Sequence, residues 1–317
     1  MTAIKLEPWM LRADWRDMQC SCVLVDLASW PSDCALSPLP PFPVVASGPP
    51  DHPLALQCDV VEDSAVPMER LLAGIAAAPR ATATLIGLLR MIGKLPAEAA
   101  LEAESLAMAT LQVSAEHRNW RDGRTASASP IACPGKAEIS RTGSCLDIVL
   151  HRPRHHNAID RAMRDELFEA FTLAAYDDSI EKVTLRGDGR TFSVGADLDE
   201  FGTIVDASEA HGIRRLTLPA RALLGCRHKL EARIGGACVG SGLELAAFAM
   251  RIEAERSAWF QLPEVGMGIL PGAGGCVSIP ARIGRQRAAL LMLSGKKINA
   301  ETALRWGLVD ALVDELR

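Results

Sequence analysis

The spacing of apolar positions changes along the chain and divides it into three zones. From about residue 18 to 62 short β-like runs (Cys22 to Leu27, Pro43 to Ala46, Leu54 to Val61) alternate with proline-rich breaks such as SPLPPFPVV, which begins at Ser37. From about 67 to 121 the apolar positions Leu71, Leu72, Ile75 and then Leu101, Leu106, Met108 and Leu111 fall at roughly helical spacing. A polar stretch, Arg121 to Lys136, has the small residues and prolines of a linker. The pattern thus predicts an N-terminal region over 1–125, α/β or mostly helical, a linker over 126–136 and a further domain over 137–317.

In that last zone Cys145 to Leu150 reads as a strand. Asp160 to Ala175 reads as a helix capped by Asp160, with Met163, Leu167, Phe171 and Ala174 as its buried stripe. Lys182 to Arg186 is a second strand, and Lys229 to Val239 contains a third. Leu243 to Met250 reads as a helix after a glycine turn, and Arg251 to Ala254 and Ala258 to Gln261 as short extended runs. The segment from Gly202 to Leu218 reads as mobile. Strands alternating with helices imply a mostly parallel sheet of the α/β class.

Composition narrows the classes of function. A net charge of −5 gives no electrostatic basis for nucleic-acid binding. Nine cysteines in irregular spacing, with only Cys20 and Cys22 close together, make neither a zinc site nor a disulfide framework, so thiols in a reducing cytosol are expected. The N-terminus lacks the layout of a secretory signal. The most apolar stretch, Leu71 to Ile92, is broken by Pro79, Arg80 and Arg90 and does not read as a membrane span. The expectation is a soluble, cytoplasmic protein with neither a membrane nor a nucleic acid as partner.

Three segments carry candidate chemistry. In Ala237 to Met250 (ACVGSGLELAAFAM) a strand runs into Gly240-Ser241-Gly242 and a helix starts at once. Glycines allow a tight turn, and the first amides of a helix have no internal partner, so such a turn can hold an oxygen that is gaining negative charge. The sixth position is Leu245 rather than glycine, so a dinucleotide site is not indicated. Thr191 to Glu200 (TFSVGADLDE) has a similar strand-to-turn character, and Phe260 to Gly275 places Glu264 ahead of two glycine-rich turns. Glu244 and Glu264 are therefore carboxylates in apolar settings, where raised pKa values suit proton transfer near neutral pH. Taken singly, Glu244 reads more readily as a helix-surface glutamate, and Glu264 as readily as a loop salt bridge.

Together these segments resemble the enoyl-CoA hydratase/isomerase (crotonase) family. LHRPRHHNAID, FSVGADLDE, GACVGSGLELA, LPEVGMGILPGAGG and SGKKINAETALRWGLVDALV follow the family's motifs in order over roughly residues 140 to 317. The resemblance implies a ββα spiral core. It also implies that the amides of Ala196 and Ser241 form an oxyanion hole, with Glu244 and Glu264 flanking the α and β carbons of a thioester. Arg154, His155, His156, Val194, Asp197 and Leu198, with Gly240 and Gly272, stand where the family contacts substrate and CoA; His151 reads as structural. No metal and no cofactor beyond the CoA of the substrate is implied.

An acyl-CoA thioester is the implied partner, in fatty acid metabolism, and a homo-oligomer (trimer or hexamer) the implied assembly. Hydration of an enoyl thioester leads among the reactions. Double-bond isomerisation, thioester hydrolysis, C–C cleavage and a non-catalytic acyl-CoA-binding subunit stay open. Ser241 and Cys238 replace the family's usual glycine and alanine, and the serine side chain is a candidate to crowd the acyl group. The family pattern continues into C-terminal helices that cover the acyl pocket and that this sequence lacks, so the helices around Leu95 to Arg121 are expected to supply the cover, from the same chain or a neighbour. The run PFPVVASGPPDHPLALQCDVVEDSA also faintly echoes a family half.

Overall fold

The structure, a computed structural model, describes residues 2–7, 10, 15, 20–31, 35–124 and 134–316. Residues 125–133, most of the linker expected over 126–136, lie outside the described residues.

The first zone forms a four-stranded parallel sheet in sequential order: β1 (Thr2–Lys5), β2 (Cys20–Asp26), β3 (Val44–Ser47) and β4 (Val60–Val61). Parallel sheets need cover on both faces, and the period of two in β2 supplies it. Val23 and Val25 point to one apolar cluster with Trp30, Leu36, Phe42 and Leu54. Cys22, with Val45 and Val60, points the other way, into a cluster shared with the rest of the chain. Of the expected run Leu54 to Val61, only the last two residues are a strand; Pro53–Gln57 is a 3-10 turn capped by the His52 ring.

Four helices follow: α1 (Met68–Ala77), α2 (Pro79–Ile92), α3 (Ala97–Gln112) and α4 (Ala115–Asp122). The breaks fall at Pro79 and Pro96, which fit a first helical turn or its edge but no helix interior. Leu101, Met108 and Leu111 of α3 are buried, each contributing roughly 1.5–3 kcal/mol by burial. Among the described residues no single helix is long and apolar enough to cross a membrane, and α1 and α2 meet at 106°.

The third zone is built on a six-stranded sheet in the order β13-β10-β8-β7-β6-β5, formed by β5 (Lys136–Thr142), β6 (Cys145–His151), β7 (Lys182–Gly187), β8 (Leu230–Ile234), β10 (Arg251–Glu255) and β13 (Ala311–Val313). All its pairings are parallel except the β5–β6 hairpin. A small second sheet joins β9 (Ala237–Val239), β11 (Trp259–Gln261) and β12 (Ile298–Asn299). The single strand expected within Lys229 to Val239 is therefore two strands in two sheets, because the chain turns at Gly235-Gly236, with Gly236 at φ +60°.

Around the sheets lie α5 (Arg161–Tyr176), α6 (Ala207–Thr217), α7 (Pro219–Cys226), α8 (Ser241–Ala246), α9 (Gly275–Ile283), α10 (Arg285–Ser294) and α11 (Ala300–Trp306). Asp160 caps α5 through Met163 N, as its position predicts. Most of the segment Gly202 to Leu218 is the helix α6, capped by Asp206 through Glu209 N. One expectation needs correction. The helix expected over Leu243 to Met250 starts earlier and ends at Ala246, where Ala247 to Ala249 close it with short-range turns.

The two halves share a core. Side chains of α1, α2 and α3 belong to the same apolar cluster as α5, α9 and α10. A buried ion cluster fixes the joint: Asp59, fully buried, accepts from Arg90 Nη2 (2.5 Å) and Nε (2.9 Å), from Arg285 Nη1 of α10 (2.9 Å) and from Val44 N (2.8 Å). Of the stretch Leu95 to Arg121, α3 packs against α6, α7 and α9 of the same chain, and α4 against the turn Glu264–Met267.

Candidate active site

Two loops are brought face to face by a parallel bridge. Ser193 N donates to Ala237 O (3.0 Å) and Val239 N to Ser193 O (2.9 Å). This lays the turn Val194-Gly195-Ala196 beside Gly240-Ser241. Gly195 (φ +93°) and Gly240 (φ +50°) sit in conformations that favour glycine. A Cβ at Gly195 would lie 3.4 Å from Ser241 N, and one at Gly240 would lie 2.7 Å from Glu264 Oε1. The amides of Ala196 and Ser241 have no hydrogen-bond partner among the described residues. Two unpaired donors on adjacent turns are able to bind an oxygen that is gaining negative charge.

A cavity of about 170 Å³ lies against them, lined by Val194, Ala196, Leu198, Gly240, Ser241, Glu244, Glu264 and Gly272, with Met108 and Gln112 from α3. It shares Gln112, Ala196, Phe201, Arg214, Ser241 and Ala273 with a larger cavity of about 670 Å³. The larger space is walled by α5, α6 and the loop from Ala196 to Ile204. Its size lies in the range of small-molecule sites.

Glu244 is 2% exposed. Its Oε2 accepts from Ala273 N (2.7 Å) and Gly275 N (2.8 Å). Burial pushes its carboxyl up to about 7, opposed by those two amides and by the charge of Arg214. Glu264 is 8% exposed, with Oε2 buried and unbonded. Burial, and then the negative charge of Glu244, hold it well above the usual carboxylate range. The two groups are thus driven apart: donors and a cation favour charge on Glu244, while Glu264 has little to stabilise an anion. Near neutral pH this pair matches a base and a proton donor.

The remaining expected residues fall into separate places. Asp197 lines the larger cavity, but its carboxylate is committed to Arg152 Nη1 at 2.6 Å and to Asp199 N. Arg154, His155 and His156 line neither cavity; they form a surface turn tied to the site by Val194 N donating to His156 O (3.1 Å). His151 stands 3.0 Å from Asp188. The Ser241 hydroxyl is buried without a partner, on the wall shared by both cavities.

Several residues that position the site were missed from sequence. Buried Arg152, Asn157 and Ser193 brace the two motif loops. Asn157 accepts from Arg152 N and donates to Asp188 O and Thr191 O, while Ser193 Oγ donates to Asn157 O and accepts from Gly195 N. Glu104 of α3 is fully buried and accepts from Gly274 N (2.7 Å) and Cys276 N (2.8 Å). Burial, then the charge of Glu244, push its carboxyl well up. A signal existed: Glu104 stands on the stripe of Leu101 and Met108, where a carboxylate is out of place. His117 of α4 docks against the Glu264–Met267 turn through Nδ1 and Met267 O, 2.9 Å apart, and stacks on Trp120 beside Phe201.

Comparison with known proteins agrees with this geometry. The family model described as enoyl-CoA hydratase/isomerase matches residues 140–316, more than half of the sequence, and the chain belongs to that family. It is 36% identical to 2,3-dehydroadipyl-CoA hydratase of Escherichia coli over 171 residues, covering 54% of this chain and 66% of that protein. It is 35% identical to carnitinyl-CoA dehydratase of Proteus mirabilis over 179 residues, covering 55% and 67%. Among solved structures it matches enoyl-CoA hydratase of Thermoplasma volcanium (37% identity, TM-score 0.52, 56% of this chain and 72% of that one). DspI of Pseudomonas aeruginosa also matches (34%, TM-score 0.52, 59% and 77%). The chain spans about two-thirds of the length of the curated relatives it matches. The fold is therefore the crotonase fold, of the α/β class.

Proposed function

We propose that the protein adds water across the double bond of an α,β-unsaturated acyl-CoA thioester. The observation that carries this reading is the convergence on one cavity of two unpaired amides and two buried carboxylates, both pushed up by burial but only Glu244 supported by two amides and a nearby cation. The thioester oxygen lies on the amides of Ala196 and Ser241, which stabilise the enolate formed as water attacks. One such donor is worth about 2.7–4 kcal/mol. Glu244 takes a proton from water as its oxygen bonds to the β carbon, and Glu264 gives its proton to the α carbon. Proton exchange between the pair then resets the site. The CoA moiety runs outward past Val194 and Leu198 toward Arg154, His155 and His156, and no cofactor beyond it takes part.

The test is the loss of absorbance of a conjugated enoyl thioester, with the product weighed for the added water. Glu244→Gln and Glu264→Gln should each lower kcat by about 10²–10⁴-fold. If Glu264→Gln alone abolishes turnover and no water is gained, a double-bond shift replaces hydration.

A further inference from the structure

The larger cavity contains a cation with no carboxylate at ion-pair distance among the described residues. Arg214, on the face of α6 turned toward α3, lines both cavities and makes no ion pair among the described residues. Its Nη1 donates to Gln112 Oε1 at 3.1 Å, and to the backbone of Ala210 at 3.5 Å. Nε and Nη2 have no acceptor among the described residues. Burial lowers its pKa to about 10, against the pull of Glu104 and Glu244. Neither atom is sealed from solvent, so the planar fork can exchange water for the acceptors of a ligand.

The carboxylates whose charge reaches Arg214 are Glu104 and Glu244, and each already holds two backbone amides. Of the acids lining the cavity, Asp160 accepts from Gly135 N and Met163 N, Asp197 from Arg152, and Glu200 from Arg161 N, while Glu209 lies exposed. Arg164 also lines the cavity and adds to the positive potential at Arg214. Ile159, Leu218 and Leu245 give the same cavity an apolar wall. An acyl chain leaving the amides of Ala196 and Ser241 would run over that wall toward Arg214.

Resting on the acyl-CoA reading above, we infer that the substrate's acyl chain ends in a carboxylate, received by Arg214 and oriented through Gln112. The planar fork of arginine matches a carboxylate in two parallel bonds, which a methyl terminus cannot use.

Binding, rather than turnover, tests this, because Arg214 also acts on Glu244 through its charge. Two saturated acyl-CoA thioesters of equal chain length, one ending in a carboxylate and one in a methyl group, are titrated calorimetrically across a homologous series. At the fitting length the wild-type protein should bind the carboxylate form about tenfold or more tightly, the worth of a hydrogen-bonded charge. Arg214→Gln should bring the ratio to near one, and Arg214→Lys, which keeps charge but loses the fork, should retain part of it. Gln112→Leu should also reduce the ratio by freeing the guanidinium. Equal or tighter binding of the methyl form throughout the series overturns the inference, as does a preference that survives Arg214→Gln. If neither ester binds, the acyl-CoA reading falls with it.

Discussion

Residues 35–124 and residues 140–316 meet on one short piece of chain, and each brings a buried glutamate to it. From the family segment, Glu244 holds the amides of Ala273 and Gly275; from outside it, Glu104 holds those of Gly274 and Cys276. Four successive amides are thus bound alternately from two sides. The two carboxylates differ in what else they face. Glu244 lines the small cavity with the Ala196 and Ser241 turns, whereas Glu104 has each of its two oxygens on a backbone amide of that segment. On the proposed mechanism the family segment carries the reacting groups. The preceding helices carry the brace and one wall, without which the turn that aims Glu244 would be held from one side only.

The sharpest way to break this partnership is at Asp59. Replacing it with alanine leaves Arg90 and Arg285 without their shared anion, and removing one partner of a buried pair costs about 3–5 kcal/mol. Urea unfolding should show that loss in a single transition, because the halves share a core. Two separate transitions with a small shift would mean the halves fold independently.

Glu104→Ala comes next. It strands two buried amide donors, at roughly 1–3 kcal/mol by the usual cost of an unmade buried bond. It should lower kcat for the enoyl thioester more than it raises KM, since it disturbs the support of Glu244 rather than the larger cavity. An unchanged kcat with normal stability would show that Glu244 needs no brace from α3.

The smallest effect is a displacement in pH. Glu244, pushed up to about 7, acts as base only when ionised, so kcat/KM should fall as pH drops through that value. Arg214 favours the ionised form, so Arg214→Gln should move this acid limb to higher pH. A limb that stays in place, or moves down, would separate Arg214 from the titration.

Much of the site was legible because its parts are local. Glu244 lies three residues past the turn that holds Ser241, and Glu264 opens its own 3-10 turn, so short-range geometry already limits where each can point. The helix α6 was not read, although Asp206 and Glu209 have cap spacing, because its apolar content is sparse, with Ala210 as its one buried residue. The break at Gly235-Gly236 was visible only as two glycines; that it sends β8 and β9 into different sheets depends on distant strands.

By itself the sequence determined the α/β class, the order of the family motifs and the identity of the two facing carboxylates, since these depend on periodicity and on turns closed within a few residues. Tertiary structure alone decided that α3 of the same chain walls the smaller cavity with Met108 and Gln112, that Glu104 reaches a turn 170 residues away in sequence and that Arg214 stands in the larger cavity with no ion pair among the described residues. Such pairings are set by packing between elements, and neither the spacing nor the propensity of either partner encodes the other.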